Sequence, residues 1–187
     1  ANNRGVLVHR DIKQGNIMVT TEGVLKVGDF GLTNEIRAAE EIRKEDRTYE
    51  ESQLPFEGAI ISVSRGFGTP TYMAPEQFSE RLLKHVKHPI YPVGTACDIF
   101  AFGLVLYEML KGKHAYYTEL GTDRETWDKA HRIASSVSFH PAYVYYVYYF
   151  LKSINLNITE SISDNKELDN LILKCIKKDP NERYKSF

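Results

Sequence analysis

Short apolar runs near the start of the chain and longer ones in its second half are separated by a wide polar stretch. Val6–Val8 is the first of the short runs. Ile17–Val19 and Val24–Val27 are β-favouring runs separated by Thr20, Thr21, Glu22 and Gly23, a polar spacer ending in glycine that predicts a hairpin. Residues 32–69 mix charges of both signs, the composition of a long functional loop or of a solvated helix rather than of a core element. From Asp98 to Leu110 the sequence DIFAFGLVLYEML is apolar on every face, which predicts a buried central helix. Over 164–178 the pattern changes, because Leu168, Leu171, Ile172, Cys175 and Ile176 recur at helical spacing and form one apolar stripe. Asp164 with Glu167 is expected to cap that helix and Pro180 to close it. Tyr143, Tyr145, Tyr146, Tyr148 and Tyr149 crowd into one short segment. As a helix it carries a stripe of Tyr143, Tyr146, Val147, Phe150 and Leu151 and a second face of Tyr145, Tyr148 and Tyr149. A packed accessory helix and a docking face for a partner both fit this pattern.

Composition narrows the class. The 187 residues suffice for one domain with a proper core but not for two comfortable ones, and 42% hydrophobic with 26% charged residues is ordinary for a globular protein. A formal net charge of −1 gives no electrostatic case for nucleic acid or for an acidic membrane surface. Cys97 and Cys175 are far apart inside apolar segments, a spacing of neither a disulfide framework nor a metal site. A reducing intracellular setting, the cytoplasm, is therefore expected. No apolar run approaches membrane length. The chain begins at Ala1 and stops at Phe187 directly after NERYKS, and both ends are expected to be cut from a longer protein.

The chemistry lies in three blocks: HRDIKQGN at 9–16, DFG at 29–31 and APE at 74–76. These are the residue types that phosphoryl transfer from a magnesium nucleotide requires, in the required order. Asp11 can accept the proton of a substrate hydroxyl, and Lys13 can neutralise charge on the moving phosphoryl group. Asn16 and Asp29 can hold the metal ions. The hairpin accounts for their spacing: Asn16 enters one strand and Asp29 leaves the other, so both emerge at the same end.

On these motifs the chain resembles the C-terminal lobe of a eukaryotic-type protein kinase of serine/threonine type. The resemblance implies an α+β protein-kinase-like fold, of which this chain covers the mainly α-helical lobe with a short β-hairpin at the catalytic and metal loops. It implies a partial kinase domain over 1–187: catalytic loop 9–16, DFG 29–31, activation segment 29–76, central helix 98–110 and later helix 164–178, with the N-terminal lobe absent. KVGDFGL before a long insert, MAPEQ and DIFAFGLVLYE are also similar to the stress-responsive translation-initiation-factor kinases, though the same pieces occur in other kinase groups.

Residue roles follow as implications of the resemblance. Asp11 would be the catalytic base, Asp29 the principal magnesium ligand and Asn16 the second, with Met18 under the adenine. ATP and Mg²⁺ are the implied cofactors, and the implied partner is a protein substrate with a Ser/Thr acceptor. Lys13, two residues after Asp11, is the serine/threonine pattern. Thr69 within GTPTYMAPE resembles the threonine that bonds to the catalytic Asp and Lys. Gln14 and Gly15 stand where Pro-Glu is common in the family, at positions that carry no chemistry. His9 would pack against Phe30, and Asp98 would accept the amides of the His9–Arg10 loop besides capping its helix. Glu76 and Arg183 would form a buried ion pair. Arg10 would pair with a phosphate on the activation segment, for which Ser62 and Ser64 are the candidate sites. Because the glycine-rich loop and the nucleotide-clamping Lys belong to the other lobe, the 187 residues alone are expected to be inactive. A pseudokinase acting as a binding module is the alternative from another class. A small-molecule kinase is disfavoured by GTPTYMAPE, a loop with no purpose without a protein substrate.

Overall fold

The computed structural model describes residues 8–30, 68–117, 123–137 and 143–185. Ile17–Val19 (β1) and Leu25–Val27 (β2) pair antiparallel, with Ile17 opposite Val27, Met18 opposite Lys26 and Val19 opposite Leu25. The turn between them closes through Thr20 N–H donating to the Val24 carbonyl at 2.9 Å, and Gly23 takes φ +79°, a left-handed conformation suited to glycine. Val24 therefore belongs to the turn, and β2 starts one residue later than the apolar run does.

Five α-helices follow among the described residues: Glu80–His85 (α1), Thr95–Lys111 (α2), Arg124–Ser136 (α3), Val144–Asn155 (α4) and Lys166–Cys175 (α5). The apolar run at 98–110 is the core of α2, in which Ile99, Phe100, Leu104 and Val105 are buried. The helix starts three residues earlier than the apolar pattern, with Gly94 at its N-cap. Asp98 is thus not the cap; it lies in the first turn, its carboxylate engaged elsewhere. Helix α5 is shorter than the 164–178 stripe. Its cap is Asn165, whose side chain accepts from Glu167 N–H at 2.9 Å and Leu168 N–H at 3.2 Å, and not Asp164. Pro180 does not close this helix; it opens a separate 3-10 turn, Pro180–Glu182.

The core has three centres among the described residues, the smallest of them Tyr107, Ile162 and Ile172. Around α2, Ala74, Cys97, Phe100, Leu104, Tyr116 and Ile176 pack together. Helices α2 and α5 approach closely at Gly103, where an added Cβ would lie 2.6 Å from Cys175 Cβ and 2.8 Å from Ile176 Cγ2. The second centre joins α1, α3 and α4 to the segment before them through Met73, Phe78, Leu83, Ile133, Val147 and Phe150. The tyrosine-rich segment is α4. Val147, Phe150 and Leu151 of its expected stripe are buried, but Tyr143 lies outside the helix and is exposed. On the other face Tyr148 is buried as well, stacked on Trp127 with ring centroids 4.1 Å apart, and Tyr145 is exposed. Among the described residues no helix is long and apolar enough to cross a membrane.

Candidate active site

Two amides and one carboxylate fix the loop that carries Asp11. Asp98, held by α2, accepts His9 N–H at 2.8 Å and Arg10 N–H at 2.7 Å. Burial pushes the Asp98 carboxyl above its ordinary value, against the two amides that favour its charged form. Arg10 takes φ +67°, a left-handed conformation that is costly for a residue with a Cβ, so the loop is held by its surroundings rather than by local preference. His9 faces the other way. Its Nε2 lies 2.8 Å from the Gly28 carbonyl and its Nδ1 accepts from Asp11 N–H at 3.3 Å, a pairing that places the ring proton on Nε2. The ring packs on Phe30 with centroids 4.7 Å apart, so one histidine links the loop to the end of the hairpin.

Asp11 is buried and surrounded by donors. Lys13 Nζ donates to Oδ2 at 2.7 Å and Asn16 Nδ2 to the same oxygen at 3.2 Å. Thr69 reaches Oδ1 twice, from its backbone N–H and its hydroxyl, both at 2.8 Å. Lys13 Nζ also donates to Thr69 Oγ1 at 2.9 Å, closing a three-residue ring of hydrogen bonds. Burial by itself would push the Asp11 carboxyl up. The hydrogen bonds from Lys13 and Thr69 and the Lys13 charge outweigh it and hold the group below its ordinary value.

Asn16 closes the 3-10 turn Gln14–Asn16 and is buried, its amide nitrogen also donating to the Asp11 carbonyl at 2.8 Å. With that nitrogen committed to Asp11, its amide oxygen is the end left for a cation. Gly28 N–H donates to the Asn16 carbonyl at 2.8 Å, so the hairpin does bring Asp29, the next residue, beside Asn16. Asp29 is exposed and takes φ +59°. An amide oxygen and a carboxylate are hard oxygen donors of the kind Mg²⁺ selects, and the two residues fit that ion. Met18 is 56% exposed and lies over Gly28, where an added Cβ would come within 2.9 Å of its Cε. Ser62 and Ser64 lie outside the described residues, as does most of the 29–76 segment.

Glu76 and Arg183 meet in the interior, Arg183 Nη1 donating to Glu76 Oε1 at 2.6 Å and Nη2 to Oε2 at 3.0 Å. Both side chains are fully shielded from solvent.

The chain matches the family model described as protein kinase domain over residues 3–186. It belongs to the protein kinase family. Similar kinases include a protein of Clostridium acetobutylicum described as a probable serine/threonine-protein kinase, 29% identical over 180 residues, which are 96% of this chain and 20% of that protein. The eukaryotic translation initiation factor 2-alpha kinase gcn-2 of Caenorhabditis elegans is 34% identical over 113 residues, 55% of this chain and 6% of that protein. Serine/threonine-protein kinase PAK 5 of Rattus norvegicus is 30% identical over 117 residues, 63% of this chain and 12% of that protein. The chain thus spans a fifth or less of the length of these curated relatives.

Three features around this site are not visible in the motifs. Gln77 is buried with both ends of its amide engaged, to Ala74 and to Arg10. Tyr72 donates its hydroxyl to Glu108 Oε2 at 2.6 Å, and burial together with that carboxylate pushes the phenol well up. Tyr146 on α4 accepts Ser79 N–H at 2.9 Å and packs on Phe78. The one signal in the sequence is Gln77 three residues after Ala74, where a Gln side chain can accept the amide of the residue that starts a turn, half of a capping box since alanine offers no acceptor.

Proposed function

We propose that this chain is the catalytic-loop half, the C-terminal lobe, of a protein serine/threonine kinase that transfers the γ-phosphoryl group of Mg-ATP to Ser/Thr hydroxyls of protein substrates. The observation that carries the reading is the ring of Asp11, Lys13 and Thr69. It leaves the Asp11 carboxylate ionised and aimed, and it ties the carboxylate to the loop on which a peptide would dock. Asp11 then accepts a hydrogen bond from the incoming hydroxyl, orients it for in-line attack and takes its proton as the new O–P bond forms. Meanwhile the bond from the γ-phosphorus to the bridging oxygen breaks, and ADP leaves with that oxygen and its electron pair. Lys13 lies within reach of the same point as a fixed positive charge that meets the developing negative charge. Magnesium, when bound with ATP, supplies charge neutralisation across the triphosphate; Asn16 and Asp29 would hold it. Little covalent chemistry falls to the protein, so positioning and electrostatics carry the rate. A reducing cellular interior belongs to the same proposal, supported by the two free, buried thiols of Cys97 and Cys175. With no G-x-G-x-x-G phosphate loop in its sequence, the chain by itself is proposed to be inactive.

The test is carried out on the intact protein with Mg-ATP and a peptide library. Transfer to Ser and Thr peptides and not to Tyr peptides is expected, with Asp29→Ala abolishing metal-dependent turnover. Asp11→Asn should lower turnover by about 10²–10⁴-fold while nucleotide binding persists. Turnover of Asp11→Asn at the parental level would refute the assignment.

A further inference from the structure

The catalytic loop and the docking strip 69–77 are joined at both ends. At the start of the strip Thr69 bonds to the Asp11 side chain. At its end Gln77, 2% exposed, reaches back 67 positions: Nε2 donates to the Arg10 carbonyl at 3.2 Å while Oε1 accepts Ala74 N–H at 2.9 Å. A backbone amide can only donate and a carbonyl only accept, so the orientation of the Gln77 side chain is fixed by its partners. Arg10 is the residue held in a left-handed conformation. Its N–H is restrained by Asp98 and its carbonyl by Gln77. The Gly68 backbone passes close to the same carbonyl, since an added Cβ there would lie 2.6 Å from the Arg10 oxygen. The Arg10 carbonyl carbon is bonded directly to the Asp11 nitrogen, so any relaxation of residue 10 displaces the carboxylate.

We propose that Gln77 is a positioning residue, which sets the Asp11 carboxylate against the bound peptide hydroxyl by tethering the Arg10 carbonyl to the turn that ends the docking strip. This rests on the kinase reading above and adds to it a residue that touches neither nucleotide nor acceptor. Among the residues of this fold that could be substituted there, only one with an amide-length arm bearing both a donor and an acceptor serves both partners at once. Ionised glutamate keeps the acceptor for Ala74 and loses the donor for Arg10, whereas the protonated acid would keep both, so this variant is assayed across a rise in pH. Methionine keeps the buried volume and loses both.

Gln77→Glu and Gln77→Met, made in the intact protein, separate tethering from packing. Turnover is measured per nucleotide-binding site, titrated in each preparation, so that a loss of folded protein is not counted as a loss of rate. The expected result is a fall in kcat of about tenfold or more in both variants, as a small displacement of a reacting group produces, with the Kd for Mg-ATP near the parental value. Hydrogen exchange of the backbone over residues 9–13 should rise several-fold in both, independent of turnover. If Gln77→Met fails to fold, Gln77→Glu, which retains the Ala74 bond, decides the matter. An active parent whose variants keep parental kcat per site overturns the tether. A parent that phosphorylates no peptide, while exchange still rises in the variants, overturns the kinase reading and leaves the tether standing.

Discussion

His114 follows α2 and shows what a single buried ring does to the pH dependence of the fold. Burial lowers its imidazole from 6.5 to about 4, with the Glu108 carboxylate opposing the shift only in part. The ring accepts Tyr116 N–H through Nδ1 at 3.1 Å and meets Tyr72 edge-on. The unfolded chain takes up this proton near pH 6.5 and the folded chain only near 4, so the contribution to stability is complete above 6.5 and declines as the pH falls. Between pH 6.5 and 5 the loss should be about 2 kcal/mol, and His114→Phe should flatten the fall of melting temperature across that window. An equally steep fall in the variant would show that another group is responsible. At this scale the sequence was legible where chemistry is contiguous. Asp11, Lys13 and Asn16 stand within six positions, and the structure brings their side chains together at one carboxylate. Gln77 was not legible, because its partner is a backbone carbonyl that only the folded chain brings near, and no residue type announces a carbonyl.

Elements were legible by their apolar patterns and less so at their boundaries. The all-apolar run of α2 predicts a buried helix, but its start is set by Gly94, which makes no side-chain cap. Asp98, the residue that looks like a cap, is drawn away by the amides of His9 and Arg10. Asp164 and Asn165 are equally good caps on paper, and geometry selects the second. The tyrosines of α4 gave a helix but not its neighbours, since Trp127 on α3 is what buries Tyr148. Gly103 shows the opposite limit: a glycine inside a helix reads as a flaw, and here it is what allows α5 to approach. Alanine would improve helix propensity by about 1 kcal/mol. Its methyl would meet Cys175 and Ile176 inside contact distance, and overpacking of this kind costs about 1–3 kcal/mol. Gly103→Ala should therefore lower the urea midpoint. A midpoint higher than that of the parent would mean that α2 and α5 can move apart freely.

Across the whole molecule one side chain ties distant parts together. Arg183 uses its guanidinium fully: Nη1 serves Glu76 and the Ala96 carbonyl, Nη2 serves Glu76 and the Lys178 carbonyl, and Nε serves the Lys177 carbonyl. The group also lies over the Phe100 ring at 4.8 Å. Arg183→Ala would leave Glu76 charged and shielded from water, at a cost of about 3–5 kcal/mol, and Arg183→Lys should not restore it, because an ammonium lacks the planar fork. Thermal melts of both variants check this, and a melting temperature equal to the parent in either would contradict it. Glu76 and Arg183 are 107 positions apart. At roughly 5–20 residues per second, a ribosome releases the second on the order of ten seconds after the first. During synthesis the Glu76–Arg183 pair can form only once Arg183 has emerged behind α5, so this part of the interior is sealed after all five described α-helices have been made.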